Sequence, residues 1–149
     1  MSKDIEGLVQ TSLNLGIMNC KGNSLYTSFA ARSSLKAEKD ELLEQLKNTA
    51  HLFDAKFSTN SHYPAWEFKK ESRLRDIMVS TYTELYNKKP IVEAIHAGLE
   101  CGLFSDKIKD LDAVSIGPDM ESIHTTEEKL FVKSVERTYD YLLQILKNL

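Results

Sequence analysis

A short segment with a histidine and a glutamate is the first place in this chain where chemistry could occur. The segment reads His96-Ala-Gly-Leu-Glu-Cys-Gly102, so His96 and Glu100 flank a small-residue turn where backbone amides can approach a ligand. Taken alone, the same residues also fit a strand-to-helix junction. Gly98 would then serve the backbone and Glu100 would be solvated.

A second candidate is His124, which follows Gly117-Pro118 in the sequence Ile-His-Thr-Thr-Glu-Glu. Imidazole is the commonest metal ligand in proteins, and a histidine in a loop beyond a strand can reach a cleft. A neighbouring carboxylate, Glu127 or Glu128, could orient its second nitrogen. Thr125 and Glu128 also fit a capping box, and a zinc site needs three or four ligands, so local spacing favours the structural interpretation.

Arg32 and the cysteines give weaker signals. Arg32 ends a predicted strand, and arginine is the natural bidentate partner of a carboxylate, but a surface arginine at a strand edge is the simpler interpretation. Cys101 lacks a clear base partner, which disfavours a cysteine nucleophile. Cys20 and Cys101 form no CxxC pair, so we expect neither a zinc knuckle nor a disulfide framework.

The first half of the chain predicts a small α+β unit that would position Arg32. The segment 7–18 reads as a strand, with apolar residues alternating over 13–18. Gly22-Asn23 suits a tight reversal, and 25–31 reads as a second strand. Ser33 or Ser34 could cap a helix over 35–53, with leucines at helical spacing and a weaker strand over 57–59. The expected order is therefore strand, strand, helix, strand.

The second half predicts an α/β unit that would position His124. Ser72 should cap a helix to about residue 86, and the apolar runs 91–95 and 113–116 read as buried strands. A brief strand near 130–132 precedes a final helix, which Ser134 would cap. Its predicted packing stripe consists of Val135, Tyr139, Leu142 and Leu146. In such a pattern, ligands bind in loops at the carboxyl ends of strands.

Composition excludes several classes of function. The 149 residues include 42% hydrophobic and 28% charged residues, which is ordinary for a soluble globular protein. The net charge of −3 and the lack of a basic cluster argue against nucleic-acid binding. No apolar run approaches the ~20 residues of a membrane span, and the start lacks a signal-peptide core, so we expect a cytoplasmic protein.

Several segments together resemble one group of enzymes. They are residues 4–14, Arg32-Ser-Ser34, Tyr63-Pro-Ala-Trp66, Ile95-His-Ala-Gly-Leu-Glu-Cys-Gly-Leu-Phe104, Val114-Ser-Ile-Gly-Pro118 and His124-Thr-Thr-Glu-Glu128. In this order they resemble the C-terminal part of the Xaa-His dipeptidases, or cytosol non-specific dipeptidases, of the co-catalytic zinc peptidases. The resemblance implies an α/β fold: residues 1–61 match the second half of an α+β, ferredoxin-like lid domain, and residues 62–149 match the last part of an α/β catalytic domain.

The resemblance also implies roles for the candidate residues. His124 matches the last zinc ligand, and Arg32 matches a lid arginine that pairs with a substrate carboxylate. Gly98, Leu99 and Glu100 match a loop that borders the substrate pocket. The family's remaining zinc ligands and its general-base glutamate lie upstream of the matched region, so no catalytic residue is expected in this chain.

Two hypotheses follow from this resemblance. The chain is either the C-terminal fragment of a zinc dipeptidase that acts on Xaa-His and other dipeptides, inactive by itself, or a non-catalytic binding or assembly module derived from the same fold. A complete enzyme would hold two zinc ions, and this chain would bind zinc weakly at most. Apolar surface left open by missing strands should promote self-association, so we expect a homo-oligomer.

Overall fold

The computed structural model describes residues 1–2, 5, 7–95 and 100–149, which form two compact units. The first unit comprises Met1–Phe68 with Glu93–Asp110, and the second comprises Lys69–Val92 with Leu111–Leu149. Helices and small antiparallel sheets occur together, so the expected mixture of helix and strand is confirmed. Within the described residues, none of the helices has the length and apolar character that a membrane span requires.

A long β-hairpin dominates the first unit. Strands β1 (Thr11–Lys21) and β2 (Ser24–Ser33) pair antiparallel, and a bulge at Gly16 shifts the register between Leu15 and Ile17. Gly22 adopts φ +58° in the two-residue turn, a conformation that glycine reaches without steric cost. The predicted hairpin and its turn are confirmed; β1 begins later and ends later than the predicted strand over 7–18, and β2 extends beyond 25–31 at both ends.

The hairpin leads directly into helix α1 (Lys36–Leu52), but the predicted serine cap is wrong. Leu35 occupies the N-cap position and supplies no side-chain cap, whereas Glu67 Oε1 accepts a hydrogen bond from the Lys36 amide at 3.0 Å. Both serines are used instead to join α1 to the hairpin, where they are buried: Ser33 Oγ bonds Thr11 Oγ1 at 2.8 Å, and the Ser34 amide donates to the Gln10 carbonyl. The short helix α3 (Glu100–Lys107) completes the first unit's helices among the described residues.

The core of the second unit lies between helices α2 (Arg73–Tyr86) and α4 (Val132–Asn148). Its buried side chains are Met78, Tyr141 and Ile145, and the Tyr141 hydroxyl donates to the Met78 carbonyl at 2.7 Å. Burial raises the pKa of Tyr141, and the nearby Tyr82 and Tyr86 raise it further. Two helices thus pack through a small apolar core that contains one satisfied polar group.

Helix α2 begins as predicted, because Ser72 accepts a hydrogen bond from the Arg75 amide at 3.0 Å. Asp112 reinforces this end of the helix by accepting from Ser72 Oγ at 2.6 Å and from the Leu74 amide at 3.0 Å. Burial opposes ionisation of Asp112, but these two hydrogen bonds outweigh it and lower the pKa of the carboxyl. The start of α2 is therefore fixed to the segment that follows residue 110.

The packing face predicted for α4 is wrong. The buried face consists of Ser134, Tyr141 and Ile145, whereas the predicted stripe of Val135, Tyr139, Leu142 and Leu146 is exposed. Phe131, not Ser134, occupies the N-cap position. Ser134 lies inside the helix, where its hydroxyl donates to the Phe131 carbonyl at 2.6 Å and accepts from the Asp119 amide at 2.8 Å.

The buried strands predicted over 91–95 and 113–116 are absent from the described part of the chain, as is the weaker one over 57–59. A strand exists only where a neighbour completes its hydrogen-bond ladder, and an apolar run does not supply that neighbour. In the second unit, only the two-residue strands β3 (Met120–Glu121) and β4 (Lys129–Leu130) pair among the described residues. Val114 instead packs against the α2–α4 core.

Candidate functional site

His124 lies in the loop that joins β3 to β4, and its backbone is in the left-handed region. Its φ is +68°, and Ser122 in the same loop has φ +52°. Few residues other than glycine adopt this conformation, although histidine is among those that do so more often. Such a conformation costs about 1 kcal/mol or more, and residues held this way are concentrated at functional sites. The loop therefore holds an exposed imidazole on a left-handed backbone, a conformation that five other non-glycine residues of the described part also adopt.

Hydrogen bonds from the loop itself hold His124 in place. The His124 amide donates to Glu128 Oε2 at 2.9 Å, and Thr125 Oγ1 donates to the Ser122 carbonyl at 2.7 Å. The Glu127 amide donates to Thr125 Oγ1 at 3.2 Å. Thr125 and Glu128 thus satisfy backbone groups of the loop and do not cap a helix as a capping box would. Glu128 binds the main chain of His124, whereas the sequence suggested that it could orient the imidazole.

The described residues do not surround His124 with further metal ligands. No group of three or more histidine, cysteine, aspartate or glutamate side chains lies close enough to hold a metal ion within the described ranges. The nearby Asp119 pairs with Arg137 at 2.7 Å, an exposed ion pair that raises the pKa of the guanidinium. A zinc site needs three or four protein ligands, so His124 supplies at most one of them.

Arg32 lies in the first unit, near the end of β2. It pairs with Ser12 across the hairpin, and its side chain is exposed. The register places Arg32 on the opposite face of the hairpin from Leu13, Leu15 and Phe29, because successive side chains alternate between the two faces. The exposed guanidinium, on the face opposite these apolar side chains, is available to a carboxylate ligand.

Glu100 is the first residue of α3, and it is exposed. An acidic side chain is favourable there because the amino-terminal end of a helix carries partial positive charge. Burial raises the pKa of Tyr63, and the charges of Glu100 and Cys101 raise it further, which places Tyr63 close to the start of α3. Gly98 and Leu99, the other two predicted pocket residues, lie outside the described residues.

Close packing fixes the start of α3 against the segment from Pro64 to Trp66. A Cβ atom added at Gly102 would lie 3.0 Å from the Pro64 carbonyl oxygen and 3.4 Å from Trp66 Cβ. Gly102 is buried, and it is the only residue type that allows this approach without displacing a neighbour. The aromatic segment that the sequence presented as a crossover thus determines where α3, and with it Glu100, begins.

A partly buried polar cluster between α1, the start of β1 and Tyr63 was missed by the sequence analysis. Glu38 accepts hydrogen bonds from the Gln10 side chain and from Thr11 Oγ1, and the Lys39 ammonium donates to the Tyr63 carbonyl. Lys39 is only 6% exposed. One signal was available, since position 39 falls on the helical stripe that begins at Leu35, so a lysine there should be buried. Lys39 ties α1 to the segment that packs on α3.

The candidate residues are therefore divided between the two units. Arg32 and Glu100 belong to the first unit, and the cluster around Lys39 and Tyr63 connects the elements that carry them. His124 belongs to the second unit. The roles implied for these residues by the resemblance stay predictions.

Comparison with known proteins gives related proteins along nearly the whole chain, although no protein-family model matches. The chain is 34% identical over 144 residues to the cytosol non-specific dipeptidase of Escherichia coli, covering 97% of this chain and 30% of that protein. The structure also matches the crystal structure of aminoacylhistidine dipeptidase from Vibrio alginolyticus with a TM-score of 0.87, 32% sequence identity and 99% coverage of this chain. The chain is homologous to the C-terminal part of these dipeptidases.

A more distant relative has a different named reaction. The succinyl-diaminopimelate desuccinylase of Helicobacter pylori is 28% identical over 98% of this chain. The relatives are hydrolases, which confirms the resemblance and the hydrolase class at the level of the family. The chain spans 30% of the length of the two dipeptidases and 38% of the desuccinylase. The domain boundary at residues 61 and 62 stays a prediction.

Proposed function

We propose that these residues form the C-terminal part of a metal-dependent dipeptidase that hydrolyses Xaa-His and other dipeptides in the cytoplasm. The observation that supports this proposal most directly is the homology over 97% of the chain to a cytosol non-specific dipeptidase, with the dipeptidase fold matched at a TM-score of 0.87. The second relative is named for cleaving an acyl group from an amino acid, so the substrate class is the finer part of the proposal.

In this proposal His124 is one ligand of a zinc ion. Its exposed position in a loop and its left-handed backbone support the role. The described residues do not fit a complete zinc site, because they gather no group of three ligands. The remaining ligands and the general base would have to come from residues that this chain does not contain.

Substrate recognition is the proposed role of the first unit. Arg32 would pair with the carboxylate of a dipeptide, since a guanidinium binds a carboxylate through two parallel hydrogen bonds. Glu100, with Gly98 and Leu99, would border the substrate pocket. The packing of Gly102 against Pro64 and Trp66 supports a defined position for Glu100.

A hydrolysis assay tests the proposed inactivity of the isolated chain. The purified chain is incubated with an Xaa-His dipeptide and added zinc, and release of histidine is followed, with the complete Escherichia coli relative as the positive control. We expect no turnover above the uncatalysed rate, because the resemblance places the remaining zinc ligands and the general base upstream of the matched region. Clear turnover by the chain would contradict the proposal of an inactive fragment.

Metal analysis separates the assignment of His124 from the question of turnover. After dialysis against micromolar zinc, we expect well under one zinc ion per chain, and less again for His124→Ala. A matched control is His51→Ala, because His51 lies in the last turn of α1, far along the chain from the candidate loop. Zinc content that His124→Ala leaves unchanged, or equal loss with both variants, would refute the assignment.

A binding or assembly module is the second candidate function. The observation that favours it is the extent of exposed apolar surface on the hairpin and on α4. Sequencing the DNA upstream of Met1 would discriminate between the two candidates. An open reading frame that encodes the missing ligands supports the dipeptidase, whereas an adjacent promoter supports the module.

A further inference from the structure

The first turn of α1 contacts two different parts of the first unit. Glu38 accepts hydrogen bonds from the Gln10 side chain and from Thr11 Oγ1, at the start of β1. The next residue, Lys39, is buried and donates from its ammonium to the Tyr63 carbonyl. Consecutive residues of a helix point about 100° apart, so these two neighbours reach different segments. One turn of α1 thus holds the hairpin and the segment after α1 at the same time.

A second contact holds residues 63–67 against α1. The Lys36 amide, at the first residue of the helix, donates to Glu67 Oε1 at 3.0 Å. Asp40 raises the pKa of the Lys36 ammonium through a hydrogen bond, and the charges of Asp106 in α3 and of Glu67 raise it further. The start of α1 therefore lies beside residues 63–67 and within electrostatic reach of α3.

Residues 63–67 in turn fix the position of α3. A Cβ atom placed on the buried Gly102 would lie 3.0 Å from the Pro64 carbonyl oxygen and 3.4 Å from Trp66 Cβ, so the two segments are in close contact. Contacts therefore run without a gap from α1 through this segment to α3, whose first residue is Glu100. All of these elements belong to the first unit.

We propose that Lys39 is a positioning residue that fixes the separation between Arg32 and Glu100. Arg32 lies at the end of β2, and this end is joined to Glu38 through the Thr11 hydroxyl. Lys39 sets the other end of the separation through the segment that packs on α3. A guanidinium and a carboxylate at a fixed separation select ligands by the spacing of their charged groups. This consequence for substrates rests on the proposed function, whereas the positioning is measured without any substrate.

The burial of Lys39 favours positioning over simple packing. Burying an ammonium costs free energy unless hydrogen bonds compensate, and an apolar side chain would fill the same place on α1 without that cost. The hydrogen bond to the Tyr63 carbonyl is made by the ammonium alone. Lys39→Met keeps most of the apolar stem and removes this bond. We therefore expect Lys39→Met to loosen α3 while it leaves the unfolding midpoint of the chain nearly unchanged.

Distances between two spin labels test the proposal in the complete chain. One label is attached at Ala30→Cys, two residues before Arg32 and on the same face of β2. The other is attached at Phe104→Cys in α3, and both positions are exposed. Cys20 and Cys101 are replaced by serine so that only these two sites react. The width of the distance distribution then reports how firmly α3 is held relative to β2.

In this background we expect Lys39→Met to broaden the distance distribution roughly twofold, because the hydrogen bond from α1 to the segment under α3 is lost. Lys39→Arg keeps a charged donor and should restore at least part of the original width. Lys39→Gln, with a shorter donor, is a second variant that should broaden the distribution. The matched control is Lys47→Met, because Lys47 lies on the same helix, is exposed and pairs with Glu44 at 3.3 Å. Gly22→Ala strains the hairpin turn at φ +58° and controls for a general loss of stability.

Trp66 provides a second measurement in the chain without labels. It is the only tryptophan in the sequence, and it contacts α3. We expect its fluorescence emission to move to longer wavelength in Lys39→Met, because water gains access to the indole, and to stay in place in Lys47→Met.

The proposal is overturned if Lys39→Met and Lys39→Gln leave both the distance distribution and the Trp66 emission unchanged. Equal broadening by Lys47→Met or Gly22→Ala would also overturn it, as would broadening that is accompanied by a matching fall in the unfolding midpoint. Each of these results would leave the hydrolysis and metal assays, and the proposed function that they test, unaffected.

Discussion

The two faces of α4 can be distinguished by truncating neighbouring residues. Ile145 is 2% exposed and belongs to the core with Met78 and Tyr141, whereas Leu146 is 59% exposed on the other apolar face of the helix. We expect Ile145→Ala to destabilise the second unit strongly and Leu146→Ala to have little effect on the monomer. The two substitutions each remove three carbon atoms from the same turn of one helix, so helix propensity is nearly matched.

The expected difference in free energy follows from burial. Removing three buried carbon groups from Ile145 costs roughly 2.5 kcal/mol in lost transfer free energy, and the cavity left behind raises the total to about 3–4 kcal/mol. Leu146 loses only the part of its surface that is covered, so Leu146→Ala should cost about 1 kcal/mol or less. A core with few buried side chains cannot collapse easily around the gap, which places Ile145→Ala near the upper end.

Urea unfolding followed by far-ultraviolet circular dichroism measures both effects. The measurement is made at the lowest practical protein concentration, so that any contribution of self-association to Leu146→Ala is minimised. We expect the midpoint to fall steeply for Ile145→Ala with an unchanged denaturant dependence. If Leu146→Ala destabilises the chain as much as Ile145→Ala does, the face of α4 that packs on α2 has been assigned incorrectly.

Two further substitutions test the contacts at the starts of α2 and α3. The folded-state pKa of Asp112 is depressed, so its stabilisation is present above its ordinary pKa near 3.8 and is lost as pH falls through the folded value. Asp112→Asn should therefore cost about 1 kcal/mol at pH 7, and the difference from the parent should shrink by pH 3 in urea titrations; a loss that is equal at both pH values would contradict this reasoning. Gly102→Val should destabilise the first unit by roughly 1–3 kcal/mol, because its side chain overlaps the Pro64 carbonyl and Trp66. Thermal unfolding checks this, with Gly117→Val as the control, since a Cβ at Gly117 meets no atom within 4 Å.

Local signals in the sequence predicted the parts of the fold that local interactions determine. The alternation in β1, the glycine turn at Gly22 and the serine cap of α2 at Ser72 each depend on residues close in the chain, and the structure contains all three. The strands expected over 91–95 and 113–116 depend on pairing partners far away. An apolar run indicates that a segment is buried, but it does not indicate which other segment covers it.

The error at α4 has a related physical cause. The helix has two apolar faces, and hydrophobic periodicity alone cannot say which one packs on α2. The stripe from Val135 to Leu146 is the more apolar in composition, yet the buried face contains Ser134 and Tyr141, whose polar groups are satisfied by specific hydrogen bonds. Such pairings appear only in three dimensions, and they decide which face is buried.

The candidate site was predictable only through its resemblance to known enzymes. Spacing alone left His124 in a capping turn and Arg32 at a strand edge, because each is a single residue in its own segment. The link from Lys39 to Tyr63, and the close contact of Gly102 with Pro64, join segments that are far apart in the sequence. These contacts define how the first unit holds Glu100, and no local pattern encodes them.

The left-handed backbone of His124 has a consequence for how the chain would change under mutation. Glycine adopts φ +68° at no steric cost, so replacing His124 with glycine relieves about 1 kcal/mol of strain. The greater conformational entropy of glycine in the unfolded chain offsets this relief, so folding gives little preference for either residue. At position 124 the backbone conformation suits glycine, whereas the proposed role as a zinc ligand requires histidine.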